Sequence, residues 1–286
     1  MEKILYAKPV IDSEVEKLTK KCSELKSSGK VATLKVILVG QHQGSVIYTN
    51  NKKKFCDKIG ADCEIIKLSE DISEKDFLAK VNEVNTNDQV HGVLIQLPLP
   101  KHLSHIDTTN LVNPAKDVDG FHSSNIACLF RGGKGLDNLT PCTPKGILTM
   151  CNYYGIDLEG QHVVIIGRSL IVGKPLALLL GNHNATVTQA HSKTKNLKEL
   201  TKSADIIITA CGTPKKFNSQ YFRDDQSQIV FDVGISRLPE GGIAGDCDFH
   251  QIKDQLKAIT PVPRGVGPMT IFSVAQNLLQ AQENSL

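Results

Sequence analysis

No stretch of this sequence is apolar for long enough to cross a bilayer, and before Lys8-Pro9 the Met1 end offers only a short apolar stretch, so neither a membrane span nor a signal peptide is expected. There is no CxxC pair. The eight cysteines, at 22, 56, 63, 128, 142, 151, 211 and 247, show no pairing pattern, which suits a reducing cytoplasm better than secretion. Metal-ligand spacing is missing as well: His102-Leu103-Ser104-His105 lies in a proline-bounded polar loop without a cysteine or carboxylate set beside it, and reads as surface histidines. A net charge of +3 is too small to argue for a nucleic-acid partner. What is left is a chain of 286 residues with enough apolar content for two domains, each with its own core.

The most informative segment begins halfway along. Val163-Val164-Ile165-Ile166 reads as a buried strand, Gly167 to Gly173 as a flexible turn, and Pro175 with Leu176, Leu178, Leu179 and Leu180 as a buried helix. Such a junction aims helix N-terminal amides at an anion, which makes Gly167, Arg168, Ser169 and Gly173 candidate phosphate contacts. The spacing only partly matches G-x-G-x-x-G, so a ligand-free turn in a doubly wound sheet stays open at this point.

A second strand, Ala185 to Ala190, ends in His191-Ser192-Lys193-Thr194, about where such a unit reads the adenosine ribose. Here too something is missing, because no carboxylate stands there to accept a 2′-hydroxyl and repel a 2′-phosphate. Ser192, Lys193 and Arg168 offer donors and positive charge instead, which favours NADP over NAD, with solvated loop lysines as the alternative for Lys193. Ala204 to Gly212 and Gln228 to Gly234 are continuous apolar strands that end in small residues. Cys211, Gly212, Gly234 and Ile235 are therefore candidate walls of a nicotinamide-side cleft, or simply strand-ending turns.

The first half alternates in the same way. Ser13-Glu14-Val15-Glu16 reads as a capping box opening a helix whose Val15, Leu18, Cys22 and Leu25 share a face. Leu34 to Gly40 is a strand, and after a polar turn from Gln41 to Ser45 a helix runs to about Ile59. Cys63 to Leu68 is a strand, Phe77 to Val84 a helix, and Gly92 to Gln96 a strand. The fold class is therefore α/β: two α/β lobes with a cleft between them, the second a Rossmann-type doubly wound parallel sheet. The expected domains are 1–140, joined by a C-terminal helix from 270 to 286, and 141–269.

On the helix after Gly44, at about 100° per residue, Tyr48, Lys52, Phe55, Cys56 and Ile59 fall within one sector, while Lys53, Lys54 and Lys58 fall outside it. Lys52 points inward. A free lysine is neutral in only about one molecule in 2,500 at pH 7, so a lysine acting as a base needs an apolar or cationic setting. Helix geometry alone leaves open whether Lys52-Lys53-Lys54 is merely a solvated run.

Six ordered segments resemble one family. They are Tyr48-x-x-x-Lys52, Gly92-Val93-Leu94-Ile95-Gln96-Leu97-Pro98-Leu99-Pro100, Pro114-x-Lys116-Asp117-Val118-Asp119-Gly120-Phe121-His122, Pro141-Cys142-Thr143-Pro144-Lys145-Gly146, Gly167-Arg168-Ser169-x-x-Val172-Gly173-Lys174-Pro175 and Thr260-Pro261-Val262-Pro263-x-Gly265-Val266-Gly267-Pro268-Met269-Thr270. Together they resemble the bifunctional methylenetetrahydrofolate dehydrogenase/cyclohydrolase family, over roughly Leu34 to Asn277. The resemblance implies an enzyme that oxidises 5,10-methylenetetrahydrofolate with NADP and hydrolyses the methenyl product to 10-formyltetrahydrofolate, in a cytoplasmic homodimer. The alternatives are a dehydrogenase without hydrolytic activity and a non-catalytic NADP-binding protein.

By the same resemblance, Lys52 is the general acid/base of hydrolysis, Gln96 its hydrogen-bonding partner, Tyr48 a stacking platform for the folate rings and Asp119 an acceptor for the pterin N–H groups, while the loop holding Pro268 lies against the ligands. Asp117 is left without a ligand role, with loop bracing as the open alternative. Two departures stand out, since Arg264 and Ala127 occupy positions where family members usually have glycine. If the Arg264 position requires a positive φ, arginine is strained there.

Overall fold

The computed structural model describes residues 3–134, 139–239 and 241–285. The chain divides into two compact units, one made of Met1–Asp12, Leu129–Lys134 and Thr143–Thr270, the other of Ser13–Cys128, Gly135–Cys142 and Ile271–Leu286.

The smaller sheet belongs to the second of these. Its strands β1 (Thr33–Val39), β2 (Asp62–Leu68) and β3 (Gly92–Ile95) are all parallel, in the order β2-β1-β3. Helix α1 (Ala7–Ser27) precedes β1, and α2 (Gln43–Ile59) and α3 (Glu74–Thr86) connect the strands. Because β2 and β3 lie on opposite sides of β1, the connections diverge at its carboxyl end, where an open α/β sheet leaves room for a ligand. On one face Leu34, Val36, Cys56, Ile59 and Leu94 pack with Val274, Ala275, Leu278 and Leu279. On the other, Ile37, Val39 and Val93 pack against Phe77, Val81 and Val84 of α3. Burial on both faces is why these strands read as unbroken apolar runs.

After the short helix α4 (Ser123–Phe130) comes α5 (Cys142–Tyr154), and then the larger sheet. Its strands are β4 (His162–Ile166), β5 (Thr186–Ala190), β6 (Ile206–Thr209), β7 (Ile229–Asp232) and β10 (Ala258–Ile259), in the order β10-β7-β6-β4-β5 and parallel throughout. Helices α6 (Gly173–Asn182), α7 (Leu197–Ser203) and α8 (Phe249–Ile252) and the antiparallel pair β8 (Ser236–Arg237) and β9 (Ile243–Ala244) also belong to this unit. The order reverses at β4, which puts the divergence point beside Gly167. This is the Rossmann-type arrangement expected from the sequence.

Three boundaries depart from expectation. Helix α1 begins at Ala7, so Ser13 lies inside it, well past its N-terminus. Pro9 is tolerated in the first turn because the amide it lacks would have no intrahelical partner there, and Ala7 N instead donates to Arg264 O at 2.9 Å. Helix α2 starts at Gln43, so the polar turn is shorter and Ser45 is already helical. Helix α9 (Val266–Asn284) starts within the proline- and glycine-rich segment, with Pro268 in its first turn.

Candidate active site

Helix α2 carries the first group of candidate residues. His42 Nδ1 accepts the Ser45 N–H at its N-terminus, and Gly60, at φ 85°, ends the helix in the left-handed conformation that glycine adopts without strain. Lys52 is 3% exposed, whereas Lys54 and Lys58 are exposed to solvent. Its Nζ donates to Gln96 Oε1 at 3.2 Å and lies 4.9 Å from the centre of the Tyr48 ring, one turn earlier. Gln96 follows β3, where its N–H donates to Ile37 O at 2.9 Å, and its Nε2 donates to Leu97 O at 2.8 Å. With the amide N committed to a carbonyl, the Oε1 is the end turned towards Lys52.

Burial pushes the Lys52 ammonium below the usual lysine range. Asp119, then the thiols of Cys142, Cys63 and Cys56, oppose the shift. Burial likewise pushes Asp119 up, and Lys52 pulls it back. Each group thus keeps the other nearer to its charged form in surroundings that penalise both. The cation–π contact with Tyr48 also favours the ammonium.

Asp119 is positioned by its loop. Val93 N donates to Lys116 O at 2.8 Å, so residues 116–118 run beside β3, and Asp117 turns the chain, accepting from Gly120 N at 3.0 Å, His122 N at 2.7 Å and Asn125 Nδ2 at 3.0 Å. Burial raises the Asp117 carboxyl to about 6 despite these donors. Behind Asp119, Cys142 N donates to its carbonyl at 3.3 Å, and Asn277 Nδ2 donates to Val118 O at 2.9 Å and Thr140 O at 2.8 Å.

Ser45, Cys142 and Asn277 were not singled out from the sequence. Ser45 is buried, and its Oγ donates to Leu97 O at 3.3 Å, tying the start of α2 to the Gln96 strand end. Serine at the first turn of a helix is so ordinary that only the three-dimensional contact distinguishes it.

The second group of candidates surrounds a cavity of about 550 Å³ at the carboxyl ends of β4, β5 and β6. Gly167, Arg168, Ser169, Ser192 and Cys211 line it, and so do His191, Thr194, Thr213 and Lys216. The turn after β4 needs its glycines: a Cβ on Gly167, at φ 150°, would lie 2.5 Å from Ala210 O, and one on Gly173 would lie 2.4 Å from Gly167 O. Ser169 Oγ accepts from Val172 N at 3.2 Å and Gly173 N at 3.3 Å. A close-packed glycine turn at a helix start, with Arg168 and Lys216 beside it, fits the phosphates of a dinucleotide.

Other expected contacts fall elsewhere. Gly173, Lys193, Gly212, Gly234 and Ile235 do not line this cavity. Lys193 is exposed, and Ile235 is 56% exposed. A Cβ on Gly234 would lie 2.2 Å from Asp246 Cγ, so this glycine makes room for a carboxylate. Pro268 lies with Tyr6, Ile11 and Arg264 at a cavity of about 480 Å³ in the unit of the larger sheet. A groove of about 830 Å³ at the amino ends of the smaller sheet, which touches Lys35, His91 and Lys116, is at the end where parallel sheets do not place ligands.

Comparison with known proteins gives two family matches. The tetrahydrofolate dehydrogenase/cyclohydrolase catalytic domain matches residues 5–119, and the NAD(P)-binding domain of the same family matches residues 141–286. The bifunctional protein FolD of Oceanobacillus iheyensis is 45% identical over 281 residues, which cover 98% of this chain and 97% of that protein. The bifunctional enzyme FolD, methylenetetrahydrofolate dehydrogenase/cyclohydrolase, from Campylobacter jejuni has a similar structure, with a TM-score of 0.93 at 41% identity and 99% of each chain covered. The Trypanosoma brucei enzyme, solved with NADP cofactor and an inhibitor, has a TM-score of 0.91 at 26% identity, covering 100% of this chain and 99% of that one.

Proposed function

The chain belongs to the tetrahydrofolate dehydrogenase/cyclohydrolase family, and from that membership we propose which residues carry its two reactions. It is a bifunctional one-carbon folate enzyme. It oxidises 5,10-methylenetetrahydrofolate to 5,10-methenyltetrahydrofolate with NADP and hydrolyses the methenyl compound to 10-formyltetrahydrofolate.

The observation that carries the assignment is the buried Lys52 Nζ, held 3.2 Å from Gln96 Oε1 with Tyr48 and Asp119 beside it. The methenyl substrate is a cation and already a strong electrophile, so hydrolysis turns on proton handling. Neutral Lys52 takes a proton from the water that attacks the one-carbon unit. It returns that proton to N5 as the C–N5 bond breaks, leaving the formyl group on N10 and releasing one net proton. Gln96 fixes the direction of Nζ, Tyr48 stacks against the folate rings and Asp119 accepts the pterin N–H groups.

NADP, when bound, supplies the oxidising power for the dehydrogenase step. Gly167, Arg168, Ser169 and Gly173 hold its phosphates, Arg168 and Ser192 meet the 2′-phosphate, and Cys211 forms part of the wall. In the expected division, residues 1–140 with the helix from 270 to 286 bind folate and residues 141–269 bind NADP; the family matches at 5–119 and 141–286 support the boundary near residue 140 and say nothing for the placement of the last helix. The enzyme is read as a cytoplasmic homodimer that feeds formyl groups to purine biosynthesis; its free cysteines support the reducing compartment, and the homodimer and the pathway rest on the family resemblance alone.

Measuring both half-reactions with NAD and NADP in parallel tests the function. Methenyl absorbance is expected to rise with NADP and then decay as 10-formyltetrahydrofolate forms. Persistent methenyl compound with no formyl product beyond the uncatalysed rate would refute the cyclohydrolase assignment.

A further inference from the structure

Two buried carboxylates, Asp232 at the end of β7 and Asp246 just after β9, have no part in the chemistry above. Asp246 is 0% exposed and Asp232 3%. Asp246 Oδ2 accepts the N–H of Cys211 at 2.6 Å and of Gly212 at 3.3 Å, and its Oδ1 accepts the N–H of Thr213 at 2.6 Å. Cys211 and Thr213 are walls of the cavity that holds Arg168 and Ser192. The turn itself is exposed, yet its three amides face an interior carboxylate rather than water.

Asp232 at the end of β7 fixes Asp246 in turn. It accepts from Asp246 N at 2.9 Å, Cys247 N at 2.9 Å, Gly234 N at 3.1 Å and the Thr209 hydroxyl at 3.1 Å. Two glycines make this possible: the Cβ that would meet Asp246 at Gly234 has a counterpart at Gly245, where a Cβ would lie 2.0 Å from Asp232 Oδ2. Burying two neighbouring carboxylates costs free energy, and a surface turn needs no such device merely to satisfy its amides.

We propose that Asp246 is a positioning residue for the dinucleotide site: locked by Asp232, its carboxylate sets the Cys211–Thr213 turn in its ligand-ready conformation without touching the cofactor. This rests on the reading that NADP occupies the Arg168–Ser192 cavity. One consequence concerns specificity. With all three amides taken by Asp246, the turn after β6 has no N–H groups left for an anion, so it would contribute no amide to a bound phosphate.

Asp246→Asn keeps the shape but turns an NH2 towards amide donors. It is expected to raise the NADP KM of the dehydrogenase at least about tenfold with kcat nearly unchanged, and to weaken direct NADP titration equally. Gly234→Ala, which displaces the carboxylate but keeps its charge, is expected to act in the same direction. A folded variant of either kind with wild-type NADP affinity would overturn the proposal. Should neither fold by circular dichroism, hydrogen exchange on the wild-type protein decides. The amides of Cys211, Gly212 and Thr213 are expected to be protected before NADP is added, and protection that arises only with NADP would overturn it. Arg168→Ala and Ser192→Ala, run in parallel, test the cavity reading itself. If they leave NADP binding unchanged, that reading fails; if they weaken binding and the Asp246 and Gly234 variants do not, only the role of Asp246 falls.

Discussion

Arg264 sits at φ 84°, in the left-handed region that the glycine usual at this position adopts freely. The departure was legible in the sequence, and its conformation was not, because φ is set by the path of residues 261–265 and not by the side chain. Ala127 lies within α4, where no positive φ is required, so its departure is harmless to the backbone. Arg264→Gly is expected to stabilise the protein by up to about 1 kcal/mol in urea unfolding, the relief of left-handed strain less the added freedom of glycine when unfolded. Equal or lower stability would argue against strain. A second expectation at this scale concerns Lys52. Its neutral form is the base, and burial lowers its pKa while Asp119 raises it. The rate of hydrolysis should therefore climb with pH along a limb below the usual lysine range. Asp119→Asn should move the limb in kcat to lower pH, and an unmoved or higher limb would break the coupling between the two groups.

At the level of elements, the strands were readable because Val163 to Ile166 and Ile206 to Ile208 are buried on both faces and so read as continuous apolar runs. The inward face of α2 was readable for a different reason, the 3.6-residue period that separates Lys52 from Lys54. Helix starts were less legible: the Ser13 signal lay inside α1, and Pro268 looked like a loop residue although it occupies a first turn. The turn after β5 was read in part. Ser192 lines the cavity and Lys193 does not, while Lys216, far away in sequence, does. Ser192→Asp should accordingly shift the NADP-to-NAD ratio of kcat/KM by about tenfold or more towards NAD, and Lys193→Ala should leave it within about twofold. The reverse ranking would return the 2′-phosphate to Lys193. Helix α3 provides a stability test: Ser73 Oγ accepts the Asp76 N–H at 3.1 Å, so Ser73→Ala should cost about 1 kcal/mol in chemical unfolding.

Across the whole molecule, each compact unit buries a carboxylate with a raised pKa. Burial carries both Asp117 and Asp232 to about 6 against their backbone donors. A carboxyl whose folded pKa lies above its unfolded value contributes stability that is present below about pH 4 and is lost as pH rises through about 6. Carboxyl carbon NMR titration should find both midpoints near 6, and midpoints at ordinary aspartate values would contradict the desolvation argument. That the chain would carry two α/β units was legible from its alternating strands and helices. The grouping of α2, the end of β3 and the 117–120 loop into one reactive site came from the family resemblance and not from any local pattern, because those segments are joined by tertiary contacts such as that of Lys52 with Gln96. The most direct measurement on that group compares Lys52→Met with the wild type, with the methenyl compound supplied directly and NADP affinity measured alongside. Formyl production should fall by about 100-fold or more while NADP binding stays unchanged. Formyl production at the wild-type rate would show that Lys52 is not the base.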